Sequence, residues 1–139
     1  MKKAIALLLA LVMVFALCAC GGGDKGTADN GEKVVKIGVF EPASGDSGAG
    51  GKKEMLGMQY ANQETPTVEI GGETYKVELV YSDNGSDSAK AVSAASKLVN
   101  EKVSLVLGSY GSGVSIAASD TFKQAGIPAI GVTCTNPNV

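Results

Sequence analysis

The sequence has no histidine and no tryptophan, and aromatic residues fill only 5% of its 139 positions. Without histidine, Ser-His-Asp and Cys-His catalysis and His-ligated zinc are excluded within this chain. Basic residues give no excess either: 12 Lys and Arg stand against 14 Asp and Glu, a formal net charge of -2. Nucleic-acid binding needs a concentrated basic face, so the charge balance gives it no support. Charged residues are 19% of the chain and apolar ones 45%, a globular rather than a disordered balance. Long hydrophobic runs are missing with one exception, residues 4–17, and that run is too short for a stable membrane span.

The exception reads as a targeting segment. Lys2 and Lys3 precede the apolar run, which ends in Leu17-Cys18-Ala19-Cys20-Gly21. This resembles the bacterial lipoprotein processing box: Leu at −3, a small residue at −1, then the cysteine that is lipidated. Cys20 fits that frame; Cys18 does not, because bulky Leu17 would precede it. An ordinary secretory signal with incidental cysteines is the plainer alternative. Residues 1–19 are therefore expected to be a lipoprotein signal peptide. Residues 20–33 are expected to be a lipidated Cys20 and a flexible tether, glycine-rich and without apolar periodicity. The product would be exported and anchored to the outer face of the cytoplasmic membrane. Cys134 would then stand alone, unable to form an internal disulfide and suited to a buried thiol.

From residue 34 the pattern alternates. Residues 34–40, Val-Val-Lys-Ile-Gly-Val-Phe, predict a strand covered on both faces. A loop of small residues over 43–51 leads to a helix over 52–64, with a modest face at Leu56 and Tyr60. Residues 68–70, Gly71-Gly72 and residues 74–81 predict a hairpin feeding a second main strand. Ser86 or Asp87 can cap the following helix, which runs to about Glu101 on a stripe of Ala91, Ala95 and Leu98, with Val92 and Val99 beside it. Residues 103–107 form the third strand. A helix reaching Ala125 buries Val114, Ala118 and Phe122 and stops at Gly126. Residues 127–132 form the fourth strand. Such alternation implies an α/β fold with a mostly parallel, doubly wound sheet and helices on both faces. Ligands of such sheets sit beyond the carboxyl ends of the strands. Three loops meet that description, 41–51, 108–113 and 133–138, all rich in Ser, Thr, Gly or Asn.

The loop Gly108-Ser109-Tyr110-Gly111-Ser112-Gly113 is the leading candidate. A strand broken by glycines and restarted as a helix leaves free N–H groups that favour an anion. Competing motifs fail on spacing. A phosphate loop over residues 46–53 would need Gly where Asp46 stands and Ser or Thr where Lys53 stands. Gly48 and Gly50 are followed by Lys53, not by the third glycine of the dinucleotide fingerprint. A nucleophile elbow at Ser112 would need glycines in place of Tyr110 and Val114. Asp83 to Asp87 is too short for a calcium loop. Ser112 could equally be a plain helix N-cap. No enzyme activity, metal or cofactor is expected, and an exported hydrolase using Ser112 would need a base from elsewhere.

Ile37-Gly38-Val39, Pro42-Ala43-Ser44-Gly45, Gly57-Met58-Gln59-Tyr60-Ala61-Asn62, residues 77–83, residues 106–119, Gly126-Ile127-Pro128 and Thr133-Cys134-Thr135-Asn136-Pro137 occur in that order. In order and spacing they resemble the branched-chain amino-acid-type (Leu/Ile/Val-binding) substrate-binding lipoproteins of ABC transporters. The resemblance covers residues 34–139. It implies the type I periplasmic binding protein fold, with this chain supplying the first part of the N-terminal lobe. It implies reversible capture of an amino acid and delivery to ABC permease subunits. The ligand carboxylate would be held by Ser112 and Thr135, with Thr133 near the ammonium and Tyr110, Gly111 and Ser44 completing the wall. Relatives often carry an aromatic near Ala49-Gly50, and Tyr110 could supply that wall instead or be a surface ring. Family members continue beyond the position of Val139, so this chain is expected to be an N-terminal fragment. A sensor domain of the same fold is the alternative reading.

Overall fold

The computed structural model describes residues 32–139, which form one unit, Glu32–Val139. The expected signal peptide, Cys20 and most of the expected tether lie outside the described residues. The elements in order are β1 (Val34–Val39), α1 (Gly48–Glu64), β2 (Thr67–Ile70), β3 (Glu73–Tyr81), α2 (Ser88–Asn100), β4 (Leu105–Leu107), α3 (Ser112–Ala125) and β5 (Ala129–Ile130). The sheet order is β2-β3-β1-β4-β5. Strands β3, β1, β4 and β5 run parallel, and β2 folds back antiparallel on β3 through Gly71-Gly72. The chain goes from β1 to one side, then crosses back to β4 on the other. The loops after β1 and β4 therefore diverge at a topological switch point, where open α/β sheets bind their ligands.

Alternation along the strands sends successive side chains to opposite faces. On one face Phe40, Val103 and Val106 pack with Ala91, Ala95 and Leu98 of α2 and with Val114, Ala118 and Phe122 of α3. Phe40 meets Phe122 edge-on, with ring centroids 5.5 Å apart and planes at 86°, a favoured aromatic geometry. Both helix stripes expected from the sequence point into this core, except that Val92 faces solvent. The other face carries Val35, Ile37, Val77, Leu79, Leu105 and Leu107. Between it and α1 lies an apolar groove of about 750 Å³.

Three boundaries differ from the sequence expectation. Helix α1 begins at Gly48, four residues before the expected Lys52. Its glycine-rich first turn is a poor helix former but permits close approach: a Cβ on Gly51 would lie 2.2 Å from the Pro42 carbonyl. The expected face of α1 is also wrong: Leu56 and Tyr60 are 62% and 65% exposed, while Gly57, Met58 and Ala61 border the groove. The third and fourth strands are cut to Leu105–Leu107 and Ala129–Ile130. Strand hydrogen bonding needs a paired neighbour, and residues 131–132 extend past their partner on β4.

Candidate functional site

Helix α2 is capped by Asp87, whose carboxylate accepts from the Ala89 N–H at 2.8 Å. Helix α3 is different. Gly111 occupies its N-cap position, no side chain caps it, and Ser112 is the first helical residue. The expectation that Ser112 could be the cap is therefore corrected. Its Oγ instead accepts from the N–H groups of Thr135 (3.1 Å) and Asn136 (3.3 Å). With its lone pairs so used, the hydroxyl proton is what remains to offer a ligand. The uncapped first turn adds backbone donors and the positive end of the helix dipole.

The loop after β5 is stapled to the loop after β4 along its length. Thr133 Oγ1 donates to the Tyr110 carbonyl at 3.2 Å, and Cys134 Sγ donates to the Ser109 carbonyl at 3.2 Å. Ser115 Oγ accepts from the Ser109 N–H at 3.0 Å and lies 3.2 Å from Cys134 Sγ. Cys134 is thus a half-buried free thiol. Tyr110, Gly111, Ser112, Thr133 and Thr135 are brought to one ledge by these bonds. The Tyr110 ring lies over α1: a Cβ on Gly50 would be 2.5 Å from the ring. The tyrosine fills the space that a side chain at position 50 would take, and it remains 41% exposed.

Ser44 is engaged elsewhere. Its hydroxyl donates to Asp83 at 2.7 Å, and Asp83 also accepts from the N–H groups of Ala43, Ser44 and Gly85. Burial acts to raise the Asp83 carboxyl pKa, but these hydrogen bonds together hold it below the usual value. Asp83 therefore ties the loop after β1 to the loop after β3.

Sequence reasoning missed the buried polar layer beneath the ledge. Asn84 and Ser109 have no exposed surface, and Asn84 Nδ2 donates to both the Phe40 carbonyl (3.1 Å) and Ser109 Oγ (2.9 Å). Glu41 is 1% exposed and accepts from the Tyr110 N–H at 2.8 Å. Burial, then the contact and charge of the Glu54 carboxyl, push the Glu41 carboxyl up to about 8, against the lowering effect of the Tyr110 N–H. Gly108 makes this layer possible. Its φ is +119°, and a Cβ there would lie 2.3 Å from the Phe40 carbonyl and 2.7 Å from Glu41 Oε1. The signal available in the sequence was a glutamate directly continuing a buried strand.

A doubly wound sheet with an uncapped, serine-bearing helix start at its switch point is the architecture of a periplasmic-binding-protein lobe. The chain belongs to the periplasmic binding protein family, whose profile, described as "Periplasmic binding protein", matches residues 34–138. It is 34% identical over 126 residues to a Leu/Ile/Val-binding protein homolog 2 of Brucella abortus, covering 91% of this chain and 32% of that protein. The crystal structure of the leucine-binding protein LivK of Thermotoga maritima aligns with a TM-score of 0.68 at 35% identity, over 75% of this chain and 29% of that one. That of the branched-chain amino acid transporter substrate-binding protein LivJ of Streptococcus pneumoniae, in complex with isoleucine, aligns at 0.66 and 34%, over 76% and 30%. The chain thus spans about a third of the length of these relatives.

Proposed function

We propose that this chain supplies the first part of the ligand-binding lobe of an extracytoplasmic solute-binding lipoprotein of an ABC importer. It holds an amino acid of branched-chain type by its carboxylate, and the holding involves no chemistry on the ligand. The intact protein closes on the ligand, delivers it to the permease and is anchored through Cys20. The observation that carries the reading is the state of Ser112. Its oxygen is occupied by two backbone N–H groups, so its proton is presented at an uncapped helix start beside Thr135. That arrangement suits a carboxylate. The Leu/Ile/Val-binding homologue and the isoleucine complex of a 34%-identical relative support the choice of ligand. On this reading Thr133 and Gly111 lie beside the ligand, Tyr110 forms the wall against its side chain, and Ser44, bonded to Asp83, stands at the rim.

The test is calorimetry with leucine and isoleucine on the full-length protein. Ser112→Ala and Thr135→Ala are each expected to weaken binding by about 1–3 kcal/mol, the cost of an unmet hydrogen bond to a charged group. Unchanged affinity in both variants rejects this site.

A further inference from the structure

Two carboxylates are buried together under the ledge. Glu41 continues β1 at the switch point, and Glu54 of α1 faces it, with carboxyl oxygens of both enclosed. Glu41 Oε2 is satisfied by the Tyr110 N–H. Glu41 Oε1 and both oxygens of Glu54 are enclosed and have no donor. Two ionised carboxylates in this position would repel each other and leave three buried acceptors unmet. As in other close carboxyl pairs, one proton placed between them removes the repulsion and joins Glu41 Oε1 to one Glu54 oxygen, leaving a single Glu54 oxygen unmet.

We propose that Glu41 and Glu54 hold one proton between them, and that this shared proton locks α1 to β1 and so positions the Tyr110–Ser112 turn for ligand. Glu41 is a positioning residue: it touches the turn through the Tyr110 N–H and touches no ligand. Loss of the proton sets two like charges between α1 and the turn, and the Tyr110 ring, packed on α1 at Gly50, shifts with them. The raised carboxyl of Glu41 agrees with a proton retained at neutral pH. The sign follows: the lock is complete at and below neutral pH and is lost as pH rises through about 8. The titratable groups around the pair are the Tyr110 phenol over Gly50, Cys134 bonded to the Ser109 carbonyl, and Asp83 tied to Ala43 and Ser44.

The proposal rests on the ledge being the ligand site, so the experiment has two readouts in the full-length protein. The first is leucine affinity between pH 6.5 and pH 9.5; the second is the Tyr110 amide shift over the same range without ligand. Glu54→Gln keeps a donor toward Glu41 and cannot ionise; Glu41→Gln keeps an acceptor for Tyr110. Relative to Glu54→Gln, which also carries the ligand's own ammonium titration, the wild type is expected to lose affinity about tenfold, the equivalent of one pKa unit. Its Tyr110 amide is expected to titrate near pH 8, and to be flat in both Gln variants. A flat wild-type amide, or a profile unchanged by both Gln substitutions, overturns the proposal. If leucine binds at no pH, the functional reading falls and the amide titration alone decides on the shared proton.

Discussion

At the scale of single residues, the ledge is built by side chains that exclude one another. Gly50 and Tyr110 share one volume, because a Cβ at 50 would stand 2.5 Å from the ring. Gly50→Ala is therefore expected to destabilise the wild type by about 1–3 kcal/mol, the usual cost of overpacking. In a Tyr110→Ala background the clash is gone, and the same change should stabilise by up to about 1 kcal/mol through helix propensity. Denaturant unfolding of the four variants reads this as a coupling energy; additive effects would show that the ring does not sit on Gly50. The sequence alone left Tyr110 undecided between wall and surface ring, because nothing in residues 108–113 reveals that α1 starts at Gly48 and passes beneath it. Glu41 was hidden for a similar reason. A glutamate before Pro42 reads as the start of a solvated loop, and only the fold shows Glu54 and the Tyr110 N–H closing over it.

At the scale of elements, the two helices on the closed face begin in opposite ways. Helix α2 is closed by the Asp87 carboxylate, whereas α3 starts bare at Gly111. The cap of α2 was legible to within two residues, Ser86 or Asp87, since both precede an Ala-rich run with a clear apolar stripe, and the structure selects Asp87. The start of α3 was legible as a place but not as a mechanism. Serine at a helix start suggests a cap, and only the neighbouring 133–136 loop shows that Ser112 is used as an acceptor. Strand lengths were overread where β-branched runs outlast their partners, as in residues 127–132. The contrast between the helices predicts separate effects. Asp87→Ala is expected to cost about 1 kcal/mol in stability and to leave leucine affinity unchanged, because the Asp87 carboxylate bonds within the first turn of α2 and not to the ledge. Thermal or urea unfolding measures the first effect and calorimetry the second. A loss of affinity comparable to that of Ser112→Ala would mean that α2 and the ledge are coupled.

At the scale of the whole described unit, the sheet is unequally covered. The β-α-β alternation made the parallel sheet and the two-sided helix placement readable, since β-branched runs and helical stripes are local signals. How completely each face is covered is a non-local property, and the outward-facing Leu56 and Tyr60 show that spacing alone chose the wrong side of α1. The face bearing Ala91, Leu98 and Phe122 is closed, while the opposite face borders the groove of about 750 Å³ lined by Ile37, Leu79 and Leu105. Adjacent residues of β3 sample the two environments: Leu79 lines the groove, and Val80 packs against the closed core. A polypeptide of residues 32–139 is expected to bind an apolar dye and to self-associate through the groove face, as large exposed apolar patches do. Leu79→Lys should reduce both, with the circular dichroism spectrum retained. Val80→Lys should instead destabilise the fold more than Leu79→Lys, because the half-buried lysine would set an unpaired charge against the closed core. Sedimentation and dye fluorescence compare the two variants directly. Equal tolerance of both would mean that the faces are not distinguished, and equal collapse would mean that the groove is as closed as the core.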